Sequence, residues 1–309
     1  MTSATQPGAT PLPPPASAGA TLPPAGQPRQ VTPRATLLLA PNPGPMTFDG
    51  TNSWVLHEPG RRGAVIVDPG PDDPGHLDAL IALAAEQGGT VAAILVTHGH
   101  PDHTSGVRET ARRTGAPVLC ASPHRADTVL GPGPLTLAGL RIEVLATPGH
   151  SSDSLSFHLP DERSIMTGDT VLGRSAPVIL DPDGRVDAML ASLAAIMRAL
   201  GGASGASGGT DAGQGPVILP GHGPLVTQPA DQLTLAISAR EARLAQAAAA
   251  VDSGCRTVSA VADRMYGPFD ERIRMGIEAT VRAHLRYLAD HGRLSRPVPL
   301  EVPPRWQAR

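Results

Sequence analysis

The chain has 309 residues, 28 acidic and 25 basic side chains, and a formal charge of −3 at neutral pH. That balance lacks the global basic field that would demand a nucleic-acid backbone or an anionic membrane as partner. Every basic side chain is arginine, which excludes lysine chemistry, and the two cysteines, Cys120 and Cys255, are too few for a disulfide scaffold. A reducing cytoplasm is the expected location. No apolar run has the length of a membrane span, and the first residues lack the basic and apolar regions of a secretory signal.

Met1 to about Arg34 is Pro, Ala, Thr and Gly with almost no large apolar side chains, and reads as a disordered tail over residues 1–34. Ordered structure is expected from Ala35, with strands at Ala35–Leu39, Asn52–Leu56 and Ala64–Asp68. Leu77–Gln87 carries a helical pattern, Val91–Val96 a buried strand, and Val107–Thr114 a second helix. Strand patterns return at Pro117–Cys120, Leu140–Ala146, Leu155–His158 and Ser164–Thr167. A helix over Val186–Leu200 precedes a Gly/Ser/Ala-rich stretch, Gly201–Gly215, that reads as a flexible loop, and a last strand, Val217–Leu219. These elements make residues 35–229 an α/β domain, which implies a layered sandwich. Residues 230–309 change character. Helical patterns at Asp231–Val251, Thr257–Tyr266 and Glu271–His291, then a strand-like tail after Gly292, suggest a small winged-helix-like domain. Its long helix starts just after His222 and should set this domain near the mouth of any site there.

The chemistry concentrates in Thr97-His98-Gly99-His100-Pro101-Asp102-His103, directly after the Val91–Val96 strand. Imidazole and carboxylate are ligands for zinc and similar divalent ions. His98 and His100 alternate and can face one way on extended backbone. Asp102 and His103 sit where the chain bends and can aim at a second point, so the segment suggests two adjacent metals. Four more candidates stand at strand-end turns beside Gly or Pro: Asp68, His150 in Thr-Pro-Gly-His, Asp169 in Thr-Gly-Asp, and His222 in Pro-Gly-His-Gly. Alone, each is more often a turn residue than a ligand. Together, each ends an apolar strand of one domain.

In this order, over about Ala35 to Thr227, the pattern resembles the metallo-β-lactamase superfamily. The resemblance implies a four-layer αββα sandwich. It implies that His98, His100 and His150 hold one metal, that Asp102, His103 and His222 hold a second, and that Asp169 bridges them. Asp68 matches a buried aspartate that supports the ligand loops. Asn42-Pro43-Gly44-Pro45, Gly50-Thr51-Asn52-Ser53, Arg240-Glu241, Arg256-Thr257-Val258 and Val281–Leu285 further resemble the β-lactamase-like protein 2 group with its winged-helix appendage. The run Val171–Pro177 departs from that group near Arg174-Ser175-Ala176.

The resemblance implies a dinuclear hydrolase whose nucleophile is a metal-bridging hydroxide oriented by Asp102, with two divalent ions per chain: zinc first, manganese or iron(II) as alternatives. The group-level likeness points to single-stranded RNA as substrate. A small-molecule ester or thioester, cleaved in the manner of glyoxalase II, is the alternative. A DNA-binding regulator using the C-terminal domain is the non-enzyme reading. No membrane partner is expected, and the oligomeric state is open. His57, His76, His124, His158 and His291 lack ligand context. Trp54 and Cys120 read as packing residues. Arg272, Arg274, Arg282 and Arg286 read as a solvated helix face.

Overall fold

Alternation along the strands sets the layers. The computed structural model describes residues 21–201 and 215–301. In β2 (Ala35–Leu39), Leu37 faces one core and Leu38 another. In β4 (Ala64–Val67), Val65 and Val67 face the first core and Ile66 the second. β11 (Ser164–Gly168) and β12 (Val217–Pro220) switch in the same way: Met166 and Leu219 point inward, Ile165 and Ile218 outward. Successive strand residues leave opposite faces, so both sheets are covered on both sides.

The first sheet runs β1 (Pro28–Gln30), β2, β3 (Asn52–His57), β4, β5 (Val91–Leu95), β6 (Val118–Cys120), β7 (Thr128–Val129). The second runs β12, β11, β10 (Leu155–Leu159), β9 (Leu140–Ala146), β8 (Gly133–Leu137). Trp54, Phe157, Leu95 and Leu219 fill the space between them. Helices α1 (Pro74–Gly88) and α3 (Val107–Thr114) cover the first sheet. Helix α4 (Val186–Gly201) covers the second, with α5 (Pro229–Asp252), α6 (Val258–Tyr266) and α7 (Arg274–Asp290) packed on it. The result is the αββα order expected.

Topology gathers the loops. β4, β5, β6 and β7 are parallel, as are β11 and β12. Parallel neighbours place their carboxyl ends on one edge, where α/β proteins bind ligands. Asp68 follows β4, His98–His103 follow β5 and include the single turn α2 (Pro101–Thr104), and Asp169 and His222 follow β11 and β12. The Asn52 N–H donates to Gly221 O at 2.8 Å and ties this edge of the two sheets together.

Several expectations are corrected. The tail of residues 1–34 contains β1, paired with β2 in antiparallel register; its first twenty residues lie outside the described ones. Most of the loop expected over 201–215 also lies outside them. The hairpin strand β8 is masked in the sequence by its Gly-Pro start; it is an edge strand, where proline is tolerated. The Glu271–His291 pattern divides into a 3-10 turn (Glu271–Ile273) and α7. No strand forms over 292–301, so no wing is present among the described residues. Arg282 is buried, 1% exposed, with Asp181 beside it, and Arg286 pairs with the same carboxylate at 2.6 Å. Burial of Trp54 and Cys120 matches their packing role. Among the described residues no helix is long and apolar enough to cross a membrane.

Candidate metal centre

Two groups of ligand-type side chains meet at the shared sheet edge: His98, His100 and His150, and beside them Asp102, His103, Asp169 and His222. In the first group, His100 Nδ1 lies 2.9 Å from His98 Nε2 and 2.8 Å from His150 Nε2. In the second, His222 Nε2 lies 3.2 Å from His103 Nε2 and 3.1 Å from Asp102 Oδ2. Asp169 reaches both groups. Its Oδ2 is 3.6 Å from His150 Nε2 and 3.5 Å from His222 Nε2, and its Oδ1 is 3.4 Å from His103 Nε2.

The far side of each ring explains why these nitrogens converge. His150 Nδ1 donates to Val178 O at 2.7 Å, and His222 Nδ1 donates to Gly50 O at 3.1 Å. A carbonyl only accepts, so each Nδ1 carries a proton and each Nε2 is turned into the site. His103 Nδ1 is held at 2.8 Å from Asp68 Oδ2. Asp68 also accepts from the Thr97 N–H at 2.8 Å and the Thr97 hydroxyl at 2.6 Å. Its backbone has φ of 50°, a left-handed turn that aims the carboxylate under the ligand loop. Asp68 therefore sits behind His103, outside the cluster. Gly221 contributes by its lack of a side chain. A Cβ there would lie 2.5 Å from Asp169 Oδ1 and 2.8 Å from His103 Cε1, so only glycine lets the β12 loop approach.

The two groups differ in charge. Burial lowers His98 and brings His100 down to about 4, helped by neighbouring imidazoles, so these rings are neutral and keep their lone pairs. Burial would also lower His103 and His222, but Asp169 leads the carboxylates that outweigh it, raising His103 and bringing His222 to about 9. Burial acts to raise Asp102 and Asp169, yet His222 and His103 hold both carboxyls below their usual range. The second group thus carries surplus negative charge that draws protons onto its rings. A divalent cation answers that demand, and Asp169 Oδ1, buried without a hydrogen-bond partner, is an orphan oxygen it would satisfy. The donor set fits metal binding at both groups.

Over the site opens a cleft of about 490 Å³. Its walls include Met46, Phe48, Leu172, Val178, Ile273 and Met275, and no arginine among the described residues. The last two come from the 3-10 turn and α7, so the C-terminal helices do narrow the mouth. They do so through α7 rather than the long α5. Neither these wall residues nor the carbonyls of Gly50 and Val178 carry a local signal in the sequence. Of the other histidines, His76 is buried against Ser53 Oγ at 3.0 Å, away from both groups.

Residues 46–130 match the Metallo-beta-lactamase superfamily. A lactamase-like protein from Penicillium aethiopicum is 30% identical over 230 residues, covering 72% of this chain and 68% of that protein. This chain belongs to the metallo-β-lactamase superfamily. Its His and Asp clusters stand at the sheet edge. An atrochrysone carboxyl ACP thioesterase from Aspergillus chevalieri is 32% identical over 177 residues, covering 53% of this chain and 54% of that enzyme. The matched part of the chain thus spans about half the length of that relative. The superfamily fold is shared with a β-lactamase domain protein from Burkholderia ambifaria, at a TM-score of 0.69 and 20% identity over 90% of this chain and 92% of that one.

Proposed function

We propose that the chain is a dinuclear, metal-dependent hydrolase of acyl thioesters. The observation that carries this reading is the cleft directly over the two ligand groups: mostly apolar, without arginine among the described residues, and large enough for an acyl chain. An RNA backbone would need cations there to offset its phosphates. The nearby Arg174 is engaged with Asp49 at 2.6 Å. The thioesterase name of a 32%-identical relative supports the same reaction class.

His98, His100 and His150 would hold one ion, and Asp102, His103 and His222 the other, with Asp169 between them. Zinc suits this imidazole and carboxylate set best. Bound there, the ions supply a Lewis acid for the thioester carbonyl and bring the pKa of water toward neutrality. The chain's own residues do the rest. Asp102, the most exposed carboxylate of the set, faces the cleft and can accept a proton from the attacking water. Asp68 fixes the ring of His103. The apolar walls exclude bulk water from the acyl side and position the chain for attack. Residues 35–229 form the catalytic unit in this reading, and 230–309 supply one wall of the cleft.

Purified protein loaded with zinc or manganese, assayed side by side on acyl thioesters, single-stranded RNA and a β-lactam, tests this. Thioester turnover is expected to dominate. Cleavage of RNA at higher efficiency than any thioester would overturn it.

A further inference from the structure

Between α4 and α5, next to the catalytic cleft, lies a second cavity of about 150 Å³. The segment Leu172–Pro177 walls both spaces, with Leu172, Ser175, Ala176 and Pro177 lining each. Met189, Leu193, Leu235 and Ala236 make the second space mostly apolar. A cavity of about this size, lined by such side chains, holds a benzene-sized group.

Five polar side chains interrupt that lining, Thr170, Arg174, Ser175, Gln232 and Arg240; Arg174 pairs with Asp49, and the Thr170 hydroxyl donates to Thr147 O. Gln232 is 6% exposed and its Oε1 has no hydrogen-bond partner. Arg240 is 5% exposed. Its guanidinium donates to Pro177 O at 2.9 Å and lies 3.3 Å from His284 Nε2, a ring that burial keeps neutral. Among the described residues no carboxylate pairs with Arg240. Burial lowers its pKa to about 10; the Tyr266 hydroxyl offsets part of this, and Arg243, one turn along α5, adds repulsion. A buried cation without a counter-charge is unfavourable unless a ligand supplies the charge.

We infer that this cavity is a subsite for the distal end of the acyl group, and that the end it accepts is a carboxylate on a short apolar or aromatic body, met by Arg240. This deepens the thioester reading and rests on it for the reaction. The carboxylate receives hydrogen bonds from the guanidinium, and the Gln232 amide can turn its NH2 to the same oxygens. The aliphatic walls take the carbon chain that leads back past Leu172–Pro177 to the cleft.

Two measurements test it. Acyl thioesters of equal chain length, ending in methyl or in carboxylate, are compared by kcat/KM. The carboxylate-ended substrate should be favoured by about 10-fold, as for a charge-assisted hydrogen bond formed out of water. Ala236→Phe, which fills the cavity, should bring the ratio toward one. Independently, benzoate titrated into the protein by calorimetry should bind saturably to the wild type and not to Ala236→Phe. If that variant fails to fold, Gln232→Leu carries the test and should weaken benzoate binding. Absence of benzoate binding to the wild type, or a methyl preference, overturns the subsite. Benzoate binding without turnover of any thioester supports the subsite and overturns the thioester reading instead.

Discussion

The two ligand groups lie side by side yet are built on opposite electrostatic plans. In the group His98, His100 and His150, burial and the neighbouring rings keep His98 and His100 neutral. Asp102, His103, Asp169 and His222 mix carboxylates with imidazoles that the carboxylates protonate. His98 and His100 can donate lone pairs without losing protons. The second group must exchange protons for a cation, and it has a further carboxylate, Asp68, behind it. Two adjoining sites with the same ion can therefore differ in how they load.

The largest effect should come from the residue the groups share. Asp169→Ala removes the oxygens that reach His150, His103 and His222. Hydrolysis should fall by about 10³-fold, on the scale of losing a preorganised charged group at the reacting centre. Bound metal, by elemental analysis, should fall below two ions per chain. A variant with full metal content and near-normal turnover would remove Asp169 from the site.

Asp102→Ala should cost about 10²-fold in turnover, because only the second group loses a member and the proton acceptor is lost with it. Metal at the first group should remain. Loss of both ions would show that the groups load as one unit and dissolve the contrast between them.

Asp68→Asn keeps the shape but removes the charge behind His103. Affinity at the second group should drop by about 10- to 100-fold, the usual effect of a lost outer-sphere carboxylate, with the first group unchanged. Competition with a chelator, followed in two phases, measures this. A uniform drop in both phases would mean that Asp68 supports the whole sheet edge.

The effect furthest from the chemistry is one of stability. Burial lowers His76 to about 4 against an ordinary 6.5, and its ring packs beside Gly70 in the loop that follows Asp68. A histidine with a depressed folded-state pKa contributes stability above its unfolded pKa. That contribution declines as pH falls from about 6.5 to 4, because the unfolded chain binds the proton first. The total is up to about 3 kcal/mol, from a shift of roughly 2.5 units. Denaturant midpoints of metal-free protein at pH 7.5 and 4.5 should differ less in His76→Gln than in the wild type. An equal pH response in both would exclude His76 as the sensitive element.

Legibility follows range. Strands β2, β3, β4, β9 and β11 are readable because alternation or a continuous apolar run within a few residues names a buried strand. The seven ligand candidates are readable because each lies in a turn that follows such a strand, and all but His103 stand beside glycine or proline. β1 and β8 are not, since their Pro and Gly content is ordinary for loops and they become strands only by pairing at an edge. Arg282 reads as solvated in the sequence because its neighbour is Asp181, on a loop about a hundred residues away.

By itself, the sequence determined the chemistry of the site: which side chains could bind an ion, and that each ended a strand of one layered domain. The grouping of the ligands, which the family resemblance implies, is brought about by the tertiary structure. His103 and His222 are 119 positions apart and meet only because β4 and β5, and β11 and β12, run parallel and end at one edge. Tertiary structure also decided that α7 walls the cleft and that Arg240 is buried with no carboxylate paired to it among the described residues. These are contacts between elements distant along the chain. Local pattern sets which face of an element is apolar, but the order of strands and the packing of helices set what that face meets.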